Sequence, residues 1–157
     1  MNDRYLFKAK RIDNGEWVIG NLITNVFFRL GQSIPYILCP DKAEYDCFED
    51  FTEENGIFEV RPDTICRCTG LRDKNGTLIW ENDIVKDLFS DVYAQIKYGR
   101  YHSCFDSTKT EHVGFYVDWS GKYTKRYRKD LGYWINMVNA EVIGNTFDNP
   151  QLLESED

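Results

Sequence analysis

Short apolar and aromatic runs alternate with polar positions along most of this chain, and Gly, Asn and Asp punctuate them at intervals suited to β-structure. Tyr5 to Arg11 alternates in part, Asp13-Asn14-Gly15 supplies residues that accept positive φ, and Trp17 to Thr24 follows as the expected hairpin partner. Ser33 to Cys39 reads as the next strand. From residue 57 the pattern regularises: Ile57 to Val60 and Thr64 to Cys68 are expected strands around Arg61-Pro62-Asp63. Asp73-Lys74-Asn75-Gly76 is a hairpin turn, because Asn and Gly both accept the left-handed region. Further strands are expected at Leu78 to Trp80, Ile84 to Phe89, Val92 to Tyr98, Val113 to Trp119 and Glu141 to Phe147, with Ser120-Gly121 turning another hairpin. In the closing strand, alternation puts Ile143 and Phe147 on the core side and Val142 on the other, and Gly144 suits a bulge or a close backbone approach.

One stretch resists this reading. Tyr45, Phe48 and Phe51 recur three apart, with Asp41 able to cap a helix and Gly56 able to end it, yet the same spacing suits an irregular loop whose rings pack on the body. Both readings stay open. The chain is therefore expected to be mainly β with at most one short helix.

Composition narrows the class. At 157 residues and 42% hydrophobic content the chain can bury its own core, and no apolar run approaches the roughly 20 residues of a membrane-crossing helix. The start, Met1-Asn2-Asp3-Arg4, leads into no signal-type apolar core, so a soluble, cytoplasmic protein without membrane association is expected. Five cysteines, at 39, 47, 66, 68 and 104, are expected to stay free thiols there.

The net charge of −7 argues against binding nucleic acid over the whole surface. Its distribution is uneven. Residues 41–59 hold eight acids against the single base Lys42, whereas Lys122, Tyr123, Thr124, Lys125, Arg126, Tyr127, Arg128 and Lys129 hold five bases and no acid. Bases interleaved with aromatics can pair with phosphates while the rings stack on nucleobases. On a strand, Arg126 and Arg128 share one face and Lys125, Tyr127 and Lys129 the other. The bland alternative is an arm whose charges keep an edge strand soluble. A third is a meeting of this run with the acidic stretch, within one chain or between two copies.

Catalytic and metal chemistry is weakly represented. Cys66-Arg67-Cys68 sets two thiols on one strand face, with Cys39, Cys47, His102 and Cys104 as further ligand candidates, but zinc-type Cys pairs with two to four residues between them do not occur, and buried thiols are expected instead. No cofactor is expected. The acid pairs Asp73/Glu81 and Glu81/Asp83 flank turns, where structural duties suffice. His102 and His112 lie in a polar stretch, no nucleophile elbow or phosphate loop is present, and no enzyme activity is expected. Trp80, Trp119 and Trp134 could line an aromatic groove, although rings of this size more often fill a β core.

Two segments carry a family resemblance. Thr69 to Val85, reading Thr-Gly-Leu-Arg-Asp-Lys-Asn-Gly-Thr-Leu-Ile-Trp-Glu-Asn-Asp-Ile-Val, is similar to the signature of the phage-associated YopX family. There a Thr-Gly-Leu-Lys-Asp-Lys-Asn-Gly run leads into an apolar strand and a Glu-Gly-Asp-Ile-Val step. Glu141 to Leu153 resembles the family's closing segment, and Val60, Pro62 and Thr64 stand where the pattern places them. The sequence departs at Asn82, which replaces a usual Gly and is the commonest other occupant of left-handed backbone. The resemblance implies a phage or prophage origin, an SH3-like fold in the matching half and no known activity. It leads to three expected regions: an N-terminal β region over 1–61 with the acidic segment, an SH3-like barrel over 62–150, and a short acidic tail over 151–157. The functional expectation is a non-catalytic accessory binding module, with an enzyme that carries no recognisable motif as the outside alternative. Its expected partner is another protein, with nucleic acid through Lys122 to Lys129 or a second copy of the chain as competing readings.

Overall fold

The computed structural model describes residues 3–39, 56–86, 93–102, 107–119, 129–131 and 140–154. They are mainly β, and the named helical elements are short 3₁₀ turns at Asp3–Tyr5, Pro62–Thr64 and Pro150–Leu153. The chain divides into two compact units, Met1–Cys68 and Thr69–Asp157.

The first unit holds β1 (Phe7–Lys10), β2 (Trp17–Arg29), β3 (Gln32–Leu38), β4 (Ile57–Glu59) and the start of β5 (Cys66–Arg72), in the antiparallel order β4-β3-β2-β1-β5. Alternation decides its inner face. Ala9 and Val18 pair across β1 and β2 and join Ile37, Cys39, Phe58 and Val60 in one buried cluster, against which Phe7, Leu22 and Ile65 pack. Residues of the family pattern have structural duties here. Val60 is buried in that cluster, Pro62 opens the 3₁₀ turn, and the buried Thr64 donates to the Arg61 carbonyl (2.8 Å) while accepting the Lys10 N–H (2.9 Å).

The second unit takes over β5 in mid-strand and adds β6 (Leu78–Trp80), β7 (Asp83–Lys86), β8 (Tyr93–His102), β9 (Glu111–Trp119), β10 (Lys129–Asp130) and β11 (Glu141–Asn145). β6 neighbours β5, and the remaining strands form a sheet in the order β10-β9-β8-β7-β11. Ile79, Val85, Ala94, Ile96, Val117, Leu131 and Ala140 make its core.

Three polar side chains organise this unit. Asp73 accepts the N–H groups of Asn75 and Thr77, both at 2.8 Å, to shape the turn, and its other oxygen accepts Val142 N–H of β11 at 3.0 Å. Asp83, which is buried, accepts Trp80 N–H at 2.8 Å. Asn82 adopts φ 67° at the corner between β6 and β7. Its N–H reaches the Ile96 carbonyl (2.7 Å), its carbonyl accepts Thr146 N–H (3.0 Å), and its side-chain oxygen accepts from Gln95 (3.0 Å). Asn serves in the left-handed corner where the family pattern has Gly.

The described strands form two antiparallel sheets and no closed barrel, and the first residues of β5 pair with β1 (Phe7 opposite Arg67, Lys8 opposite Cys66). One expectation, on β11, needs correction. In β11, register shifts between Val142 and Gly144, so Ile143 is the bulged residue. That shift turns Val142 to the core cluster and leaves Ile143 and Phe147 half-buried. Gly144 makes the expected close approach, since a Cβ there would lie 2.4 Å from the Asn149 amide oxygen.

Candidate interaction surface

β2 outruns β1. β1 pairs only with Trp17 to Gly20, while β2 and β3 continue together as a two-stranded ribbon. Their register shifts between Ile23 and Phe27, where Asn25 takes φ 61° and donates its N–H to Ser33 Oγ at 2.8 Å. Pairing then resumes at Phe27 with Ile34, Phe28 with Ser33 and Arg29 with Gln32, and Leu30-Gly31 closes the hairpin with φ 51° and 78°. Two consecutive left-handed residues make the primed turn that suits a twisted hairpin, but Leu is an unusual occupant of its first position.

A two-stranded ribbon is marginal by itself, and this one is tied to its unit at two points. The Phe27 and Tyr36 rings meet at 4.8 Å between centroids, and Arg29 donates twice to Glu59 of β4, at 3.1 and 3.2 Å. Every residue from 24 to 33 is nevertheless exposed, including Val26 (61%), Phe28 (60%) and Leu30 (100%). Across Trp17 to Leu38, Arg29 is the single charged residue. Charges, prolines or covers normally protect such a ribbon, whereas this tip exposes apolar side chains around one paired charge, Arg29.

A cleft of about 330 Å³ runs beside the ribbon, lined by Ile12, Leu30, Ile34, Pro35, Val60 and Pro62 with the Arg29–Glu59 pair at its edge. It opens where β4 leaves β3, beyond the bond from Val60 N–H to the Pro35 carbonyl (3.1 Å). A smaller cleft of about 70 Å³ adjoins it. There Arg11 lies over the Phe58 ring at 4.2 Å and pairs with Asp13, and the hydrogen bond from Arg11 holds the Asp13 carboxyl below its ordinary range. The charged groups named on both clefts are thus already matched within the unit.

The residues singled out from sequence fall elsewhere. Lys122, Tyr123, Lys125, Arg126, Tyr127 and Arg128 lie outside the described residues, as does the acidic stretch apart from residues 56–59; Lys129, in β10, pairs through its backbone with Val117 of β9. Asp73 and Asp83 are committed to backbone N–H groups, which answers the acid-pair reading structurally. Cys39, Cys66 and Cys68 are buried free thiols, Cys47 and Cys104 lie outside the described residues, and no group of three or more metal-capable side chains occurs among those described. His102 is exposed, with its ring 3.3 Å from the Thr110 carbonyl, and His112 stacks on Tyr101 at 5.5 Å. Trp80 is buried; the Trp119 side chain and Trp134 lie outside the described part. No helix among the described residues is long and apolar enough to cross a membrane.

Sequence reasoning missed the ribbon because it ended β2 at Thr24 and found no turn signal in Leu30-Gly31. The available signal was negative: the run from Trp17 to Leu38 carries Arg29 as its one charge, in a chain that is 29% charged. Comparison with known families matches residues 7–154 to a family model described as YopX protein. No curated protein matches the chain.

Proposed function

The chain belongs to the YopX family, and on that premise we propose that it is a non-catalytic binding module, a cytoplasmic accessory protein of phage or prophage origin that acts by holding a protein partner. One observation carries this reading: the exposed ribbon tip with Val26, Phe28 and Leu30, whose single charge, Arg29, is paired with Glu59. Left-handed backbone costs a residue with a Cβ about 1–2 kcal/mol, and a fully exposed Leu recovers none of it by burial within its own unit. Contact with another molecule is the reason to keep an apolar side chain there. The module requires no cofactor. For residues 62–150 an SH3-like arrangement, partly open, remains the proposed likeness, supported by the consecutive antiparallel strands β7-β8-β9 and the closing β11.

The test is cross-linking of the full chain to proteins of its host cell with a photoreactive residue placed singly along its surface, with linkage sites mapped by mass spectrometry. Links should concentrate on residues 24–35, and the double variant Phe28→Ser/Leu30→Asn should lose at least about tenfold in yield, as central apolar anchors do. Undiminished capture by that variant would remove the ribbon from the binding surface.

A second reading rests on the basic, aromatic run from Lys122 to Lys129. It predicts weak binding of labelled single-stranded DNA or RNA that falls steeply with salt and disappears in Arg126→Glu/Arg128→Glu. No anisotropy change at low salt ends that reading.

A further inference from the structure

We propose that the β2–β3 ribbon and its cleft form a two-fold interface between copies of this chain, with each ribbon tip seated in the other copy's cleft. The proposal rests on the ribbon being a protein-docking surface and names its occupant.

Self-complementarity is the first argument. A projection with apolar side chains (Phe28, Leu30) and a recess that has an apolar side (Ile12, Ile34, Val60, Pro62) beside the Arg29–Glu59 pair, Gln32 and Ser33 lie side by side in the same unit, with Leu30 at the edge of both. A two-fold axis makes each surface meet its own copy, so projection and recess are filled reciprocally and the assembly closes at two chains. About 330 Å³ lies at the small end of ligand-sized cavities and has room for a Leu or Phe side chain.

Charge is the second. Two copies at −7 repel one another over most approaches. The ribbon carries only Arg29, which Glu59 of its own unit already pairs, so this surface brings like copies together without adding a charge conflict. The contact is apolar, and salt that screens the remaining repulsion should strengthen it. A partner recognised by charge would show the opposite trend.

Area sets the strength. Residues 24–35 with Ile12, Glu59, Val60 and Pro62 make roughly sixteen contact residues per copy, below the 20–30 of a standard interface. The dimer should therefore be weak, with a dissociation constant of about 10–100 µM.

Sedimentation velocity of the full chain between about 1 and 500 µM tests this, repeated at low and high salt. The expected result is a monomer that becomes a dimer in that range, at lower concentration when salt is raised. Leu30→Asn tests the contact without opening a hole, because Asn-Gly is a preferred primed turn and the side chain, at the edge of the cleft, is fully exposed. It should stay monomeric while its melting temperature holds or rises. Phe28→Ser should also weaken the dimer. A wild-type monomer throughout, a dimer that salt dissociates, or an unchanged dimer in Leu30→Asn each overturns the proposal. A wild-type monomer whose cross-links to other proteins still depend on Phe28 and Leu30 would overturn the dimer alone and leave the binding module standing.

Discussion

A chain ending at Asn139 is expected to lose the cooperative melting of the second unit. The cut removes β11, whose Glu141, Val142, Gly144 and Asn145 pair with β7, and with it Val142 and Ala140 from the core cluster. It also removes Val142 N–H from Asp73 and Thr146 N–H from the Asn82 carbonyl. Asp73 then loses one of its three backbone donors in a buried position, and Ile84 and Val85, fully buried in the intact chain, lie in a strand left without its edge neighbour. Exposing two such side chains costs about 1.5–3 kcal/mol each, and the lost charged hydrogen bond about 1.5–3 more, against a domain stability of roughly 5–15 kcal/mol. Lys74 contributes less: its hydrogen bond and charge lower the Glu141 carboxyl below the usual range, but the pair is exposed to solvent. Thermal unfolding by circular dichroism is the measurement. A chain ending at Leu153 should melt like the full protein, and a cooperatively folded, soluble chain ending at Asn139 would show that β11 is dispensable.

Gly20→Ala should damage the first unit as severely. A Cβ on Gly20 would lie 1.9 Å from the Leu38 carbonyl oxygen, 2.7 Å from its carbon and 3.1 Å from Cys39 Cα. All three are backbone atoms, so no rotamer change relieves the clash, and β2 and β3 must separate where Ile37 and Cys39 enter the core. Overpacking relieved by side-chain shifts costs about 1–3 kcal/mol; here about 3 kcal/mol or more is expected, and urea denaturation should give a much earlier midpoint. Gly114→Ala is the control. Gly114 pairs with Gly99, and an added Cβ would meet only the Tyr101 ring edge, at 3.9 Å. Equal stability of the two variants would contradict the β2–β3 packing.

Most of this architecture was legible because local chemistry and tertiary demand agree. Asp73-Lys74-Asn75-Gly76 reads as a turn from its residue types, and the folded chain adds a long-range bond from the same Asp to β11. Asn82 could be placed in left-handed backbone from sequence, and Gly144 in a bulge. Alternation alone failed where a bulge intervened. β11 carries one extra residue, Ile143, and it is Val142 that packs on the core cluster, an irregularity that no period-two pattern contains. The ribbon was hidden for a different reason. Its turn uses Leu where Asn or Gly would announce it, and its importance lies in what the strands lack, which motif reading does not register. The basic run could be seen in sequence but lies outside the described residues, apart from the backbone pairing of Lys129.

Leu30 also says how this protein should change under selection. Nearly any replacement by Asn, Asp or Gly relaxes its left-handed backbone, and because the side chain is wholly exposed, none leaves a hole. A library screened for heat resistance alone should therefore abandon leucine at position 30 early, since stabilising changes at functional positions are the ones that trade activity away. A library screened for the ribbon-dependent contact proposed above should keep it. Opposite drift at one solvent-exposed position would separate what the fold prefers from what the protein is used for.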